Sequence, residues 1–310
     1  MATAVDSVPG HHSRTKESEN YDLRFDDDAK LRLAQQNAVT RELMGGSFLP
    51  SEEIIRLRAI AETGKHPRIA DIGTGPGDWM FDVRAQLREA GIDAVLHGYD
   101  LFPVHFPPEE KQVAEDLSFY QLNIHQKETF PKLDEGYDLV HLRYLSIVIT
   151  EKQWESAFNN CTSMLKPGGT MMWEEILFDQ FIISDRAKYP HANKIFDIGV
   201  SMFKQLGMLL NCGPKLNPLF QNNFNNVLKD EFTTKALEER WQRLQAQNMY
   251  MVTREMVVKW LERGDAALKQ LGLSSVEEGN ELAQLSMQDY QNGCLTNMSI
   301  CRWIGEDFVV

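Results

Sequence analysis

Cysteine is scarce: Cys161, Cys212, Cys294 and Cys301 are all that 310 residues contain, with no Cys-x-x-Cys pair and no histidine cluster at ligand spacing. That excludes a sequence-local zinc site and suits free thiols in a reducing compartment; no metal is expected. Basic charge is also short, with 32 Lys and Arg against 45 Asp and Glu and a net charge of −13. A broad nucleic-acid footprint needs clustered basic side chains and is excluded on that balance. No apolar run reaches membrane-spanning length. The polar start, with His11, His12, Arg14 and Lys16 among Ser and Glu, has no signal-peptide core. Internal repeats and low-complexity tracts are missing too. The expectation is a cytoplasmic protein, with the nucleus also open to it, and with no membrane or nucleic-acid partner. Its partners are then a small molecule, with a homodimer or a regulatory protein also allowed.

What the chain does have is a core's worth of apolar residues, 43% of the total, and one informative loop. Residues 69–79 read Ile-Ala-Asp-Ile-Gly-Thr-Gly-Pro-Gly-Asp-Trp. A buried strand ending at Ile72 runs into Gly73, Gly75 and Gly77, and a helix starts at Asp78. Glycines so spaced let the backbone turn sharply and come close to a ligand, and the helix behind them aims free N–H groups the same way. The dinucleotide pattern Gly-x-Gly-x-x-Gly needs a different third spacing. Asp71, just ahead of the loop, favours a cationic ligand group over a pyrophosphate.

Around this loop the pattern alternates between strand and helix. Helices are expected at Asp26–Met44, closed by Gly45-Gly46, and at Ser51–Thr63 with Ser51 as its cap. Strands follow at Arg68–Ile72, Ala94–Asp100, Ser118–Leu122, Tyr137–Leu142 and Thr170–Leu177. Helices Asp78–Ala90 and Glu151–Leu165 stand between them, the latter stopped by Lys166-Pro167-Gly168-Gly169. Such alternation predicts a doubly wound, mostly parallel α/β sheet with its ligand outside the carboxyl ends of the strands. Residues 178–230 break the rhythm, with an apolar helix at Phe196–Leu210 and an Asn-, Pro- and Phe-rich stretch behind it. They read as a helical lid or substrate insertion, whose Met and aromatic side chains over 196–224 either line a pocket or, as such stripes more often do, pack as core or lid. A strand at Phe232–Arg240, helices Thr253–Leu271 and Ser274–Asn292 capped by Thr253 and Ser274, and a strand Leu295–Ile304 complete the pattern. The organisation is a flexible arm over 1–20, a helical cover over 21–66, a ligand-binding core over 67–177, the insertion over 178–230, and completion of the domain over 231–310.

Asp100 closes the second strand, where a carboxylate can accept both hydroxyls of a ribose. Asn123 ends the third and can accept from a nucleobase amino group through its carbonyl. His141, on the fourth strand, is a candidate general base or a structural histidine. Arg143 is suited to hold a carboxylate or neighbouring backbone. Glu174 and Glu175 are adjacent on the fifth strand, so they point to opposite faces and cannot work as a pair in one cavity.

The segment Asp-x-Gly-x-Gly-x-Gly at 71–77 resembles motif I of class I S-adenosylmethionine-dependent methyltransferases. Four blocks together resemble the fungal LaeA-like group of that class: Tyr21-Asp22-Leu23 with the Asp-rich helix and Gly45-Gly46; Asp71 to Trp79; Tyr137 to Leu145; and Leu165 to Gly169 with Glu174 downstream. The resemblance spans roughly residues 20–305. It implies a seven-stranded, Rossmann-like sheet that binds S-adenosyl-L-methionine, with S-adenosyl-L-homocysteine as product. By the same resemblance Asp71, Gly73, Thr74 and Gly75 would hold the methionine part, Asp100 with Leu101 the ribose, and Asn123 with Ile124 the adenine. Trp79 matches the bulky residue after the glycine loop, Tyr21 would close over the cofactor, and Arg143 would join the cofactor contacts. The implied reaction is methyl transfer to an O, N or S atom of a small secondary-metabolite acceptor. Members of the group also act as regulators through protein partners, and relatives of biosynthetic methyltransferases carry out pericyclic or isomerising chemistry.

Overall fold

Two short buried runs, Ile69 to Ile72 and Tyr137 to Leu142, become the centre of one sheet. The computed structural model describes residues 27–261 and 272–309. Its strands are β1 (Arg68–Ile72), β2 (Val95–Asp100), β3 (Leu117–Gln121), β4 (Tyr137–Arg143), β5 (Leu165–Ile183), β6 (Phe224–Thr233) and β7 (Thr296–Phe308). They lie in the order β3-β2-β1-β4-β5-β7-β6, parallel through β5, with β7 antiparallel to both neighbours. The chain moves outward from β1 to β3 and then returns to place β4 on the other side of β1. That reversal opens a crevice at the carboxyl ends of β1 and β4, where ligands of doubly wound sheets bind.

The described helices are α1 (Asp27–Leu43), α2 (Ser51–Glu62), α3 (Asp78–Glu89), α4 (Glu109–Glu115), α5 (Trp154–Thr162), α6 (Pro190–Gln205), α7 (Gly213–Asn223), α8 (Glu239–Leu261) and α9 (Val276–Gln291). Period-two alternation sorts the strand side chains between two layers. Ile69, Leu139, Met172 and Ile304 pack beneath α2 and α3 with Leu57, Met80, Val83 and Leu87. Ala70, Val140, Met171, Trp173 and Trp303 pack on the opposite face with Phe158 of α5 and Leu216 and Phe220 of α7. A third cluster joins α6, α8 and α9 to the outer half of β5 through Phe178, Phe181, Phe196, Met202, Met249 and Leu282.

Several boundaries differ from expectation. Ser51 is the first residue of α2 rather than its cap, which falls on Pro50. Lys166 to Gly169 lie within the start of β5, after α5 has already ended at Thr162. Helix α4 is additional; it buries no residue, so it carries no apolar stripe to announce it. β6 begins at Phe224, eight residues ahead of the expected strand. Thr253 caps nothing: it lies inside α8, and its hydroxyl bonds back to the Met249 carbonyl at 2.8 Å. The true cap of α9 is Ser275, which accepts from Glu278 N–H, while the Glu278 carboxylate accepts from Ser274. The arm 1–20, and the end of the helix expected to reach Leu271, lie outside the described residues.

Candidate functional site

The glycine loop takes its shape from backbone that side chains would resist. Gly73, Gly75 and Gly77 have φ of +74°, +54° and +81°, the left-handed region open to glycine. A Cβ on Gly77 would come within 2.7 Å of Phe119, and one on Gly73 within 2.8 Å of Leu145. At Gly75 the same atom would meet only Leu33, at 4.0 Å, so this glycine leaves space rather than filling it. The N–H groups of Gly73 and Thr74 donate to the Tyr99 carbonyl at 2.7 and 3.0 Å, tying the loop to β2. Gly75 N–H donates to Asp100 Oδ2 at 2.8 Å, and Phe102 N–H to Asp100 Oδ1 at 2.9 Å. Burial pushes the Asp100 carboxyl up to about 6 against the pull of those two donors.

Asp71 pairs in register with His141 across β1 and β4, so both side chains face α3. His141 Nδ1 and Asp71 Oδ1 are 2.7 Å apart, and His141 Nε2 lies 3.6 Å from Glu174 Oε2. The imidazole stacks on Trp79 with ring centroids 3.8 Å apart and planes within 2°. Burial alone would lower the histidine pKa; the Asp71 hydrogen bond and the Glu174 carboxylate outweigh it, and the net direction is upward. The raised direction favours the charged form of His141, whose Nδ1 is committed to Asp71. That commitment and the stacking on Trp79 suit a group that orients Asp71 better than the general base considered for it.

Glu175 takes the opposite face, as adjacent strand residues must. It accepts from Trp173 Nε1 at 2.7 Å, Leu145 N–H at 2.9 Å and Ser146 N–H at 3.1 Å. Burial raises its carboxyl to about 7, with Trp173 and the Ser146 and Leu145 donors opposing. It holds the loop that leaves β4. At the head of that loop Tyr144 has φ +58°, its N–H donating to the Glu174 carbonyl and its hydroxyl 2.7 Å from Thr40 Oγ1 of α1. Burial pushes the Tyr144 phenol upward, so it stays protonated. Arg143 donates to Asn37 Oδ1 at 2.7 Å and lies over the Phe48 ring, and its buried Nη1 finds no partner among the described residues.

These groups surround one cavity. Asp71, Gly73, Thr74, Gly75, Trp79, Asp100, Leu101, Asn123, Ile124, His141 and Arg143 all line it; Tyr21 lies outside the described residues. Asn123 uses its carbonyl to accept from His125 N–H at 3.0 Å, so that oxygen already braces the loop after β3. Sequence reasoning missed Asp78, whose carboxyl burial raises while Arg143 and Lys111 oppose the rise, and His105, held down to about 4 by burial and by Arg32 and Lys30. It also missed the far wall: Tyr144 to Val148, Ile176, Phe178, and Met249 and Val252 of α8, with Arg32, Leu33 and Gln36 of α1 completing the cover. Of the expected insertion 178–230, only Phe178 reaches the cavity. α6 and α7 spend their apolar faces on the core, so the lid reading moves to α1 and α8.

The donor set suits S-adenosylmethionine. An unpartnered buried guanidinium N–H is available for a carboxylate, acidic side chains stand near it for cationic groups, and the space at Gly75 admits close approach. Residues 69–169 match a family model described as Methyltransferase domain. Among curated proteins, the chain is 27% identical over 237 residues to "Methyltransferase grgD" of Penicillium sp, spanning 70% of this chain and 78% of that one. It is 25% identical over 196 residues to "N-methyltransferase sirN" of Leptosphaeria maculans, spanning 63% of this chain and 62% of that one. Among solved structures, a SAM-dependent methyltransferase from Geobacter sulfurreducens in complex with S-adenosyl-L-homocysteine superposes with a TM-score of 0.37 at 11% identity, over 87% of this chain and 98% of that one. The chain thus carries a methyltransferase domain over residues 69–169, set in a seven-stranded class I sheet, and the enzyme is an S-adenosylmethionine-dependent methyltransferase.

Proposed function

We propose that the enzyme methylates an O, N or S atom of a small secondary-metabolite acceptor, and that it stands with the LaeA-like group. One observation carries the reading: a single cavity joins the glycine loop and strand-end carboxylates to an apolar chamber walled by the loop after β4, β5 and α8. The two fungal relatives support it, one of them being called an N-methyltransferase. In this reading Asp100 holds the ribose hydroxyls, Arg143 Nη1 takes the methionine carboxylate, and Asp71, fixed by His141, faces the ammonium. Ile124 flanks the adenine, and Asn123 shapes the loop beside it. The cofactor supplies an electrophilic methyl group when bound. The protein's part is to align the acceptor with that group, to exclude water under α1 and α8, and to hold charges fixed while the sulfonium's positive charge is lost.

Calorimetry with S-adenosyl-L-homocysteine on wild type and Asp100→Ala tests the site. Micromolar binding, reduced at least 100-fold by the substitution, is the expected result; the two charge-assisted hydrogen bonds removed are worth roughly 1.5–3 kcal/mol each. A well-folded wild type that binds neither S-adenosylmethionine nor its product would sink the proposal. Turnover of an acceptor without consumption of S-adenosylmethionine would point instead to pericyclic or isomerising chemistry.

A further inference from the structure

The cavity is chemically lopsided, and the lopsidedness bears on the acceptor. Over β1, β2 and β3 its wall carries carboxylates, histidines and backbone N–H groups. Past His141 and Arg143, the wall formed by the loop after β4, by β5 and by α8 is apolar but for Ser146 and the Tyr144 hydroxyl, with Ile147, Val148, Phe178, Met249 and Val252. The ionisable groups that line the cavity are distant from that second wall or already committed: Arg32 lies 3.9 Å from Glu255, and Arg143 is the group given above to the methionine carboxylate. His105 and His125 follow β2 and β3, which lie two and three strands from β4 and three and four from β5. At about 4.8 Å per strand that is roughly 10–19 Å. Asp71 and His141 bind each other, and Asp100 is held by Gly75 and Phe102. Asp78 belongs to α3 and faces Arg143. The Tyr144 hydroxyl is paired with Thr40 and stays protonated. Ser146 adds a hydroxyl that does not ionise near neutral pH, and its N–H is held by Glu175.

Resting on the function proposed above, we infer that the chamber over β4 and β5 takes an uncharged, mainly apolar acceptor whose nucleophile needs no base from the protein. A thiol, a phenolic or enolic hydroxyl, or a neutral amine meets that condition; an aliphatic alcohol does not. The acceptor's lone pair forms the new bond to the methyl carbon as the carbon–sulfur bond breaks and leaves its electron pair on sulfur. A thiol, phenol or enol gives its proton to solvent before that step, and an amine after it. An acceptor carrying a carboxylate would have to be desolvated against an apolar wall with no cation committed to it, and is rejected.

The test uses full-length enzyme saturated with S-adenosyl-L-homocysteine and titrated with 2-naphthol and 2-naphthoate in calorimetry. The naphthol is expected to bind at least tenfold tighter. Val252→Asp should weaken naphthol at least tenfold while product affinity stays within twofold. With S-adenosylmethionine, 2-naphthalenethiol should be methylated at least 100-fold faster than 2-naphthalenemethanol. Equal or tighter binding of the naphthoate, or binding of neither, overturns the apolar chamber. Alcohol turnover matching the thiol, or no transfer to the thiol, overturns the base-free step. Loss of S-adenosyl-L-homocysteine binding itself would fail the underlying cofactor reading instead, so the two failures are distinguishable.

Discussion

The two halves of the cavity are built by opposite strategies. The half we assign to the cofactor is made from strand ends and tight turns, where backbone N–H groups and short acidic side chains meet at fixed positions. The half we assign to the acceptor is made from side chains that several distant segments contribute, with α1 and α8 as a cover. The first is rigid because its backbone has little choice; the second is shaped by packing, which volume-conserving changes alter gently. Recognition of a ligand common to a whole class suits the former, and acceptor choice suits the latter.

Substitutions can separate the halves. The largest effect is expected at their junction. His141→Leu leaves Asp71 and Glu174 buried without their counter-charge, and should destabilise the fold by roughly 3–5 kcal/mol in urea titration. Because the folded histidine pKa is raised, its stabilisation is fully present below the unfolded value near 6.5 and is lost as pH rises through the folded value. The gap between wild type and variant should therefore narrow in alkali.

Next in size is a pH effect confined to the cofactor half. Asp100 must be ionised to accept charge-assisted hydrogen bonds from a ribose. Affinity for S-adenosyl-L-homocysteine should fall as pH drops below about 6, approaching tenfold per unit, and Asp100→Ala should flatten that dependence. The sign for the ligand-free fold is opposite: a raised carboxyl opposes folding when ionised, so this group's contribution worsens from about pH 4 to about 6.

Glu175→Gln addresses the other half. It puts an amide NH₂ where three N–H donors converge, loosening the Leu145–Ser146 turn. Acceptor KM should rise several-fold with product affinity within twofold; the reverse pattern would break the division drawn between the halves. The smallest change expected is Thr40→Val, which removes the hydroxyl partner of Tyr144 and should cost about 1 kcal/mol in thermal unfolding.

The same division decides what could be read from the sequence. The strand β1 and the glycine loop were legible because few residue types tolerate their backbone, and Gly73, Gly75 and Gly77 all take positive φ. Asp71, Asp100 and His141 sit at strand ends, where position in the pattern is nearly position in space. Met249 and Val252 gave no comparable signal, since on a helix an apolar residue facing a cavity and one facing the core look alike. The clamp of His141 between Asp71 and Glu174 was hidden for another reason. Three charged residues on three strands become neighbours only once the register is known. Glu174 and Glu175 show the reverse, their separation following from strand geometry alone.

The position of β7 constrains the order in which the enzyme can be made. It is last in sequence yet lies between β5 and β6, hydrogen-bonded to both over most of its length. Until residues 296–308 have left the ribosome, β5 has an open edge and β6 has no partner in the sheet. A nascent chain can assemble β1 to β5 with the glycine loop. It exposes a strand edge available to other chains until residues 296–308 arrive. Anything that stalls synthesis after the cofactor loop but before β7 would thus leave an aggregation-prone intermediate.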